Sequence, residues 1–135
     1  ALSKIEEYKL RFRNIESEGG RAFNPGWHLA LDMRNMLLVS ECVAKASLAR
    51  TESRGGHTRD DHPKMDSQWR RTLLVCSTSD DRTSDDAVVP EVSVTKQQQP
   101  PMREDLLAQF DIEELGKYYT DEELAAHPGR MEERR

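Results

Sequence analysis

The residues of this chain that could do chemistry are concentrated in one polar segment, RTESRGGHTRDDHP, residues 50–63. The segment holds three arginines, two histidines, three acidic residues and two adjacent glycines. His57 and His62, with two aspartates between them, could bind zinc or iron. Their five-residue spacing matches no compact helical ligand pair, and the flanking arginines would oppose a cation. The pattern therefore argues against a metal site.

Ser53 lies near His57 and Asp60 in the sequence, which raises the alternative of a hydrolytic site. Catalytic triads are assembled in space from separate elements, so closeness in sequence is weak evidence for one. Ser53 also lacks the glycine pattern of a nucleophile elbow. The glycines of the chain form neither G-x-G-x-x-G nor a P-loop, so a self-contained FAD or NAD site is not predicted.

The arginines of the polar segment have two interpretations. Together with His57, Arg54 and Arg59 could clamp the carboxylates of an anionic ligand through charge-assisted hydrogen bonds. Alternatively, the arginines pair with acids of the same segment, and the nearly balanced local charge favours this second interpretation. We therefore predict a structural network of these side chains. Its members are Glu52, Arg54, His57, Arg59, Asp60 and Asp61.

The elements that must position this segment are predicted to be helical. A first helix is expected over residues 3–16, where Ser3 starts a capping box. A second helix is expected from the Asn24 cap to Arg50, with Gly55-Gly56 as its stop signal. A short loop joins the two, so they should form an antiparallel hairpin. The apolar arc of the second helix is too wide for one neighbour to bury, which predicts a further element or a partner.

The remainder of the chain is predicted to contain short elements. Two β-like runs, TLLVC (72–76) and EVSVT (91–95), indicate a two-stranded ribbon, and QQQPP (97–101) is typical of a linker or an extended segment. Short helices should follow residue 102, one of them starting at a Thr120–Glu123 capping box. The predicted fold class is mainly α: an antiparallel helical bundle with a small two-stranded β-ribbon and short C-terminal helices.

Length and composition set broad limits. We expect the 135 residues to form one domain, with a helical hairpin and polar loop in 1–63, ribbon and linker in 64–101, and an acidic tail in 102–135. Residues 77–87 should form a solvated loop, and the terminal MEERR should fray. A net charge of -5 argues against a nucleic-acid or anionic-membrane binder.

The two cysteines, Cys42 and Cys76, are too few for a disulfide scaffold, and neither has a second cysteine at metal-ligand spacing. Cys42 lies on the apolar face of the second predicted helix, where a small buried side chain is the usual role. This cysteine usage predicts a reducing cytoplasm.

The polar segment and its flanks resemble the C-terminal region of the flavoprotein subunits of succinate dehydrogenase and fumarate reductase. The resemblance rests on three stretches: NPGWHLALDMRNMLLVSECVAKASLA before the segment, the R-x-E-S-R-G-x-H-x-R-x-D pattern within it, and MDSQWRRTLLV after it. It extends over residues 1–76, and the sequence GGHTRDDHP is most similar to actinobacterial members of the family.

The resemblance implies a longer protein that interconverts succinate and fumarate by hydride transfer at FAD and passes electrons to an iron–sulfur subunit. The family's FAD loop and substrate residues lie upstream and have no counterpart here, so no functional residue is carried over. The chain is then expected to be inactive alone and to dock on the FAD-binding domain and the iron–sulfur subunit. Such a complex would lie at the cytoplasmic face of the inner membrane and touch the membrane only through partner subunits.

Two alternatives remain at this stage. The chain could be the C-terminal domain of a related flavoenzyme such as L-aspartate oxidase, which uses a different electron acceptor. It could also be a free-standing interaction module whose apolar helix face binds a partner helix.

Overall fold

The computed structural model describes residues 1–78 and 89–125. Its elements are α1 (Leu2–Phe12), α2 (Pro25–Ala49), a 3₁₀ helix (Ser67–Arg71), β1 (Thr72–Thr78), β2 (Val92–Gln98), α3 (Glu104–Leu107), α4 (Ile112–Leu115) and α5 (Asp121–Ala125). This arrangement confirms the predicted fold class. The predicted loop over 77–87 begins inside β1, and the rest of it lies outside the described residues, as does the MEERR end.

The chain divides into two compact units. The first consists of Ala1–Arg50 and Leu74–Thr95, and the second of Thr51–Leu73 and Lys96–Arg135. Each unit therefore contains part of the β1–β2 ribbon. The prediction of one domain with boundaries after residues 63 and 101 stays a prediction.

In the first unit, α1 and α2 form the predicted antiparallel hairpin. Phe12, near the end of α1, packs with Leu37 and Val89 in a small core, and Met33 and Leu38 border it. Further back along α1 and further forward along α2, the side chains of Lys9 and Glu41 form an ion pair. The residue number therefore falls along α1 as it rises along α2, so the two helices are antiparallel.

The boundaries of α1 differ from the prediction. The helix begins after Ala1, without a side-chain cap, so Ser3 lies within the first turn and the predicted capping box does not form. It ends at Phe12 rather than residue 16. The next amides, of Asn14 and Ile15, bond to carbonyls three residues back, which tightens the chain into a 3₁₀-like turn that closes the helix.

The start of α2 was predicted correctly and its end to within one residue, but the predicted stop signal was wrong. Asn24 Oδ1 accepts a hydrogen bond from the Trp27 amide at 3.2 Å, and Pro25 occupies the first turn. The helix ends at Ala49 because Arg50 is already extended, with φ -80° and ψ 112°. The glycine pair at 55–56 therefore does not terminate the helix and has a different role, described below.

One face of α2 remains uncovered within residues 1–78 and 89–125. Leu29, Met36 and Val43 are seven residues apart and share a face with Val39. The exposed fractions of these side chains are 59–64%. This agrees with the prediction that the apolar arc is too wide for one neighbouring helix.

Among the described residues, no helix has the length and apolar character needed to cross a membrane.

In the ribbon, Ser77 pairs with Ser93 and Thr72 pairs with Gln98, as expected for antiparallel strands. The strand β2 continues through Gln98, so the first two residues of the predicted linker or extended segment, 97–101, belong to the strand. Gln98 takes part in the ribbon because its side-chain amide donates to Thr72 Oγ1 at 3.1 Å.

The predicted capping box at the last described helix is confirmed. Glu123 Oε2 accepts from the Thr120 amide at 2.9 Å, and Thr120 Oγ1 accepts from the Glu123 amide at 3.4 Å. Two amides that have no partner within α5 are satisfied in this reciprocal way.

Candidate functional site

The polar segment contains a tight reversal of the chain at Gly55-Gly56. The Arg54 amide donates to the His57 carbonyl at 2.8 Å, and the His57 amide donates back to the Arg54 carbonyl at 3.0 Å. Gly55 has φ +58°, a left-handed conformation that is strained for residues with a Cβ. The two glycines therefore form the loop of a two-residue hairpin.

Glu52 and Arg54 form a bidentate ion pair at the base of this hairpin. Arg54 Nε donates to Glu52 Oε1 and Arg54 Nη2 donates to Oε2, both at 2.9 Å. Glu52 is fully buried, and its Oε2 also accepts the Asp66 amide at 3.0 Å. Arg54 Nη2 lies 3.2 Å from the Asp66 carbonyl. The pair thus fixes the start of the polar segment to the residue that caps the 3₁₀ helix.

The hydroxyl group of Ser53 closes the loop that follows the hairpin. Ser53 Oγ accepts the Arg59 amide at 2.8 Å and donates to the His62 carbonyl at 2.7 Å. The Ser53 amide donates to the Lys64 carbonyl at 3.0 Å. These main-chain partners give Ser53 a structural role, because its hydroxyl proton is directed at a carbonyl oxygen rather than at a general base.

A second ion pair, Arg59–Asp61, lies further along the loop. Arg59 Nε and Nη2 donate to the two Asp61 carboxylate oxygens at 2.9 and 2.6 Å. These hydrogen bonds lower the pKa of Asp61 to about 2 and raise the pKa of Arg59. The side chain of Asp61 is 62% exposed, so this pair is screened by solvent in a way that Glu52–Arg54 is not.

The other two predicted members of the network are placed differently. Asp60 is exposed, and the neighbouring arginine, Arg59, pairs with Asp61. His57 is half-buried, and its Nε2 atom is buried without a hydrogen-bond partner among residues 1–78 and 89–125. Four of the six predicted residues therefore form two separate ion pairs, and His57 and Asp60 belong to neither pair. Within the same residues, no three His, Cys, Asp or Glu side chains are grouped as metal ligands.

The first unit contains a buried ionic cluster that the sequence analysis missed. Glu41 in α2 is fully buried, with Lys9 Nζ 2.5 Å from Oε2 and Lys45 Nζ 2.7 Å from Oε1. Burial alone would raise the pKa of Glu41, but hydrogen bonds from Lys45 and Lys9 outweigh it and the pKa is lowered. Lys45 Nζ also donates to the Val92 carbonyl at 2.6 Å, so the cluster connects α1, α2 and β2.

In the second unit, Arg70 holds α5 in place. It donates to both carboxylate oxygens of Glu123 at 2.6 and 3.1 Å, and to the Tyr118 carbonyl at 2.9 Å. Its guanidinium lies 3.7 Å from the centre of the Tyr119 ring. The hydrogen bonds from Arg70 are the main cause of the lowered pKa of Glu123, about 2. The i,i+4 spacing of Glu41 and Lys45 is a local signal for one pair of the cluster, whereas Lys9–Glu41 and Arg70–Glu123 join residues distant in sequence and had none.

Comparison with known proteins decides the family. Residues 1–105 match the model described as fumarate reductase flavoprotein C-term. The chain belongs to this family. The resemblance to flavoprotein subunits of succinate dehydrogenase and fumarate reductase is thereby confirmed, and it extends further along the chain than residue 76.

Individual proteins are similar to this chain over different lengths. It is 32% identical over 103 residues to the fumarate reductase flavoprotein subunit of Helicobacter pylori, which is 75% of this chain and 14% of that protein. It is 39% identical over 44 residues to the L-aspartate oxidase of Acinetobacter baylyi, 33% of this chain and 8% of that protein. A chain of the Mycobacterium smegmatis Sdh1 complex in the apo form superposes with a TM-score of 0.78 and 60% identity, over 94% of this chain and 21% of the other.

Proposed function

We propose that this chain is the C-terminal domain of the flavoprotein subunit of a succinate dehydrogenase or fumarate reductase. The whole protein would interconvert succinate and fumarate through FAD and pass electrons to an iron–sulfur subunit. The domain's own contribution is structural: it packs on the FAD-binding part of the same polypeptide and supports docking of the iron–sulfur subunit. The family match over residues 1–105 is the observation that carries this proposal.

This chain matches only a small part of the length of each relative, which supports a role within a larger assembly. The chain spans 14% of the Helicobacter pylori subunit and 21% of the Mycobacterium smegmatis chain. The similarity to a chain of the Sdh1 complex favours association with other subunits at the cytoplasmic face of the inner membrane. In this proposal the membrane contact belongs to those partner subunits.

The described residues do not fit FAD. A dinucleotide site needs a glycine-rich turn between a strand and a helix, so that backbone amides at the helix N-terminus can approach the pyrophosphate. The adjacent glycines Gly55 and Gly56 instead close a two-residue hairpin between Arg54 and His57. The glycine before α2, Gly20, is followed by the Asn24 cap and Pro25 rather than by a G-x-G-x-x-G turn. We therefore assign FAD to the remainder of the proposed flavoprotein, and the isolated domain should turn over nothing.

The exposed stripe on α2 is the surface that we assign to the FAD-binding remainder. Leu29, Met36, Val39 and Val43 present aliphatic side chains to solvent along four helical turns. A contiguous exposed apolar surface of this kind marks an interaction site in a folded protein. Packing the stripe against another part of the polypeptide would remove it from water, and the exposed Asp32, which lies on the same face of α2, would need a polar or cationic partner in that contact.

The hairpin of the polar segment is the second docking element. The exposed Gly55 and Gly56 lie at its tip, and the buried Glu52–Arg54 pair fixes its base. A rigid hairpin loses little conformational entropy on binding, which favours a role in orienting a partner subunit.

Calorimetric titration tests both surfaces. The purified chain is titrated with the FAD-bearing remainder of the flavoprotein, and separately with the iron–sulfur subunit, at two salt concentrations. We expect micromolar or tighter binding to the former, weakened by Val43→Asp because a buried unpaired carboxylate is costly. Asn35→Asp, an exposed polar position of the same helix, is the matched control and should bind normally.

Arg54→Ala should weaken binding to the iron–sulfur subunit, whereas Arg103→Ala should not. Arg103 makes an equivalent bidentate pair with Asp105, but both side chains are largely exposed. Each variant is melted beforehand, so that a loss of binding is separated from a loss of folding. A folded chain that binds neither partner would overturn the docking role and leave only the family membership.

The match to L-aspartate oxidase over 44 residues supports a second candidate. In that case the longer protein would oxidise L-aspartate and would not require an iron–sulfur partner. An assay of the full-length protein with succinate or L-aspartate as the reductant, and with a quinone analogue or oxygen as the acceptor, distinguishes the two. If succinate reduces the quinone analogue and L-aspartate does not, the L-aspartate oxidase assignment is excluded.

A further inference from the structure

Two cysteines that are distant in sequence lie together in the first unit. Cys42 is on α2 and Cys76 is on β1, and the Cys76 thiol donates to the Cys42 carbonyl oxygen with an S···O distance of 3.8 Å. A carbonyl oxygen lies about 2.4 Å from its own Cα, so Cys76 Sγ is within about 6 Å of Cys42 Cα. The fold thus brings the side chain of one cysteine to the backbone of the other.

The same placement affects the ionisation of the Cys42 thiol. Burial raises the pKa of the Cys42 thiol, and the charge and hydrogen bonding of the neighbouring Cys76 thiol raise it further. Both side chains are half-buried, and both are free thiols. A thiol held against the backbone of a second cysteine is close enough for a disulfide to form when the side chains rotate to bonding distance.

We propose that Cys42 and Cys76 form a dithiol site that a peroxide converts into an intramolecular disulfide between α2 and β1. One thiolate attacks a peroxide oxygen, the O–O bond breaks, and a sulfenic acid and hydroxide result. The second thiolate attacks the sulfenic sulfur, the S–S bond forms, and the sulfenic oxygen leaves as hydroxide. With the protons released by the thiols, two thiols and one hydrogen peroxide give one disulfide and two water molecules. Two electrons pass from sulfur to the peroxide.

This modification site is independent of the proposed function. The disulfide would close the chain from residue 42 to residue 76, which includes the whole polar segment, and would fasten α2 to the ribbon. In a reducing compartment the thiols stay free, and the cross-link forms only under peroxide exposure. Because the Cys42 thiol must ionise before it attacks, the rate should increase with pH above neutrality.

Rates of disulfide formation test the proposal. The chain has two cysteines, so any intramolecular disulfide joins Cys42 to Cys76. Dilute protein is treated with hydrogen peroxide in native buffer and in concentrated urea, and the linkage is measured by peptide mapping and free-thiol titration. We expect formation at least about tenfold faster in native buffer, because the fold holds the thiols together.

Two controls and a second probe complete the test. Cys42→Ser and Cys76→Ser should form no intramolecular linkage. Phenylarsine oxide should bind the native wild-type chain in a one-to-one ratio, forming two As–S bonds with loss of one water, and each single variant should fail to retain it. Linkage that is no faster in native buffer than in urea would overturn the proposal, as would oxidation of each sulfur to sulfinic acid without a cross-link.

Discussion

Within residues 1–78 and 89–125, two glutamates are fully buried, and they are neutralised in different ways. Glu52 is paired with Arg54, two residues away, through two parallel hydrogen bonds, and it accepts the Asp66 amide. Glu41 is paired with two lysines, one on its own helix and one on α1. The first arrangement depends on one planar group, whereas the second divides the compensating charge between two compact cations.

The difference affects both robustness and role. If Arg54 is removed, the buried Glu52 carboxylate loses both hydrogen bonds of this bidentate contact. If Lys9 is removed, Glu41 still has Lys45, which also bonds the Val92 carbonyl. The Glu52 pair therefore fixes a local geometry, and the Glu41 cluster joins elements that are distant in sequence.

The largest expected effect is that of Arg54→Ala. Removing one partner of a buried ion pair typically costs about 3–5 kcal/mol in the free energy of unfolding. Urea unfolding followed by tryptophan fluorescence measures it, since the buried Trp69 lies in the same unit. Arg103→Ala, which breaks an exposed pair of the same type, is the control and should leave the midpoint almost unchanged. Equal losses in the two variants would show that the burial of Glu52 has no energetic consequence.

A smaller loss is expected for Lys9→Ala. One of the two cations at Glu41 remains, so the cost should be that of a hydrogen bond to a charged group, about 1.5–3 kcal/mol. Lys4→Ala removes an exposed ion pair with Glu7 on the same helix and serves as the control. The same unfolding experiment applies. A loss as large as that of Arg54→Ala would mean that Lys45 cannot compensate Glu41 alone.

The hairpin that carries Arg54 provides a third prediction. Gly55→Ala should cost about 1–2 kcal/mol, because Gly55 has φ +58° and a Cβ is strained there even though no atom lies nearby. Gly56→Ala is the matched control, since its position is equally open and has no positive φ. Comparing the urea midpoints of the two variants separates backbone strain from loss of the pair. Equal midpoints would show that the hairpin relaxes without strain.

The same contrast explains how much of the molecule could be predicted. Glu52 and Arg54 are near each other in the sequence, and their charges are visible within one short segment, so both were predicted as members of a network. The partner of Glu41, Lys9, is 32 residues away. An acidic residue within an apolar helical run carries no information about which distant side chain will meet it, so the cluster was missed.

Secondary-structure boundaries were likewise predicted where the signal is local in the sequence and missed where it depends on other contacts. The Asn24 cap and the Thr120–Glu123 box were predicted because their signals are local and stereochemical. The Ser3 box failed because Ala1 already occupies the N-cap position of α1, and the sequence alone does not decide which of two nearby residues precedes a helix. Gly55-Gly56 was recognised as a turn signal but assigned to the wrong turn. The choice between a helix stop and a hairpin depended on the Arg54–His57 pairing.

The smallest effect is expected for Asp61→Asn, which separates pairing from burial. Asp61 and Arg59 form a bidentate pair like Glu52 and Arg54, but Asp61 is largely exposed. The hydrogen bonds from Arg59 lower the pKa of Asp61 from 3.8 to about 2. Because the folded pKa lies below the unfolded value, the pair's contribution is present above about pH 4 and is lost as the pH falls toward about 2.

At pH 7 we expect the urea midpoint of Asp61→Asn to be close to that of the wild type, because solvent screens an exposed pair. Between about pH 4 and pH 2 the wild type should lose stability more steeply than the variant, since only the wild type takes up a proton at this position. Urea midpoints measured at several pH values test both statements. A loss at pH 7 as large as that of Arg54→Ala would mean that bidentate geometry, rather than burial, makes the Glu52–Arg54 pair important.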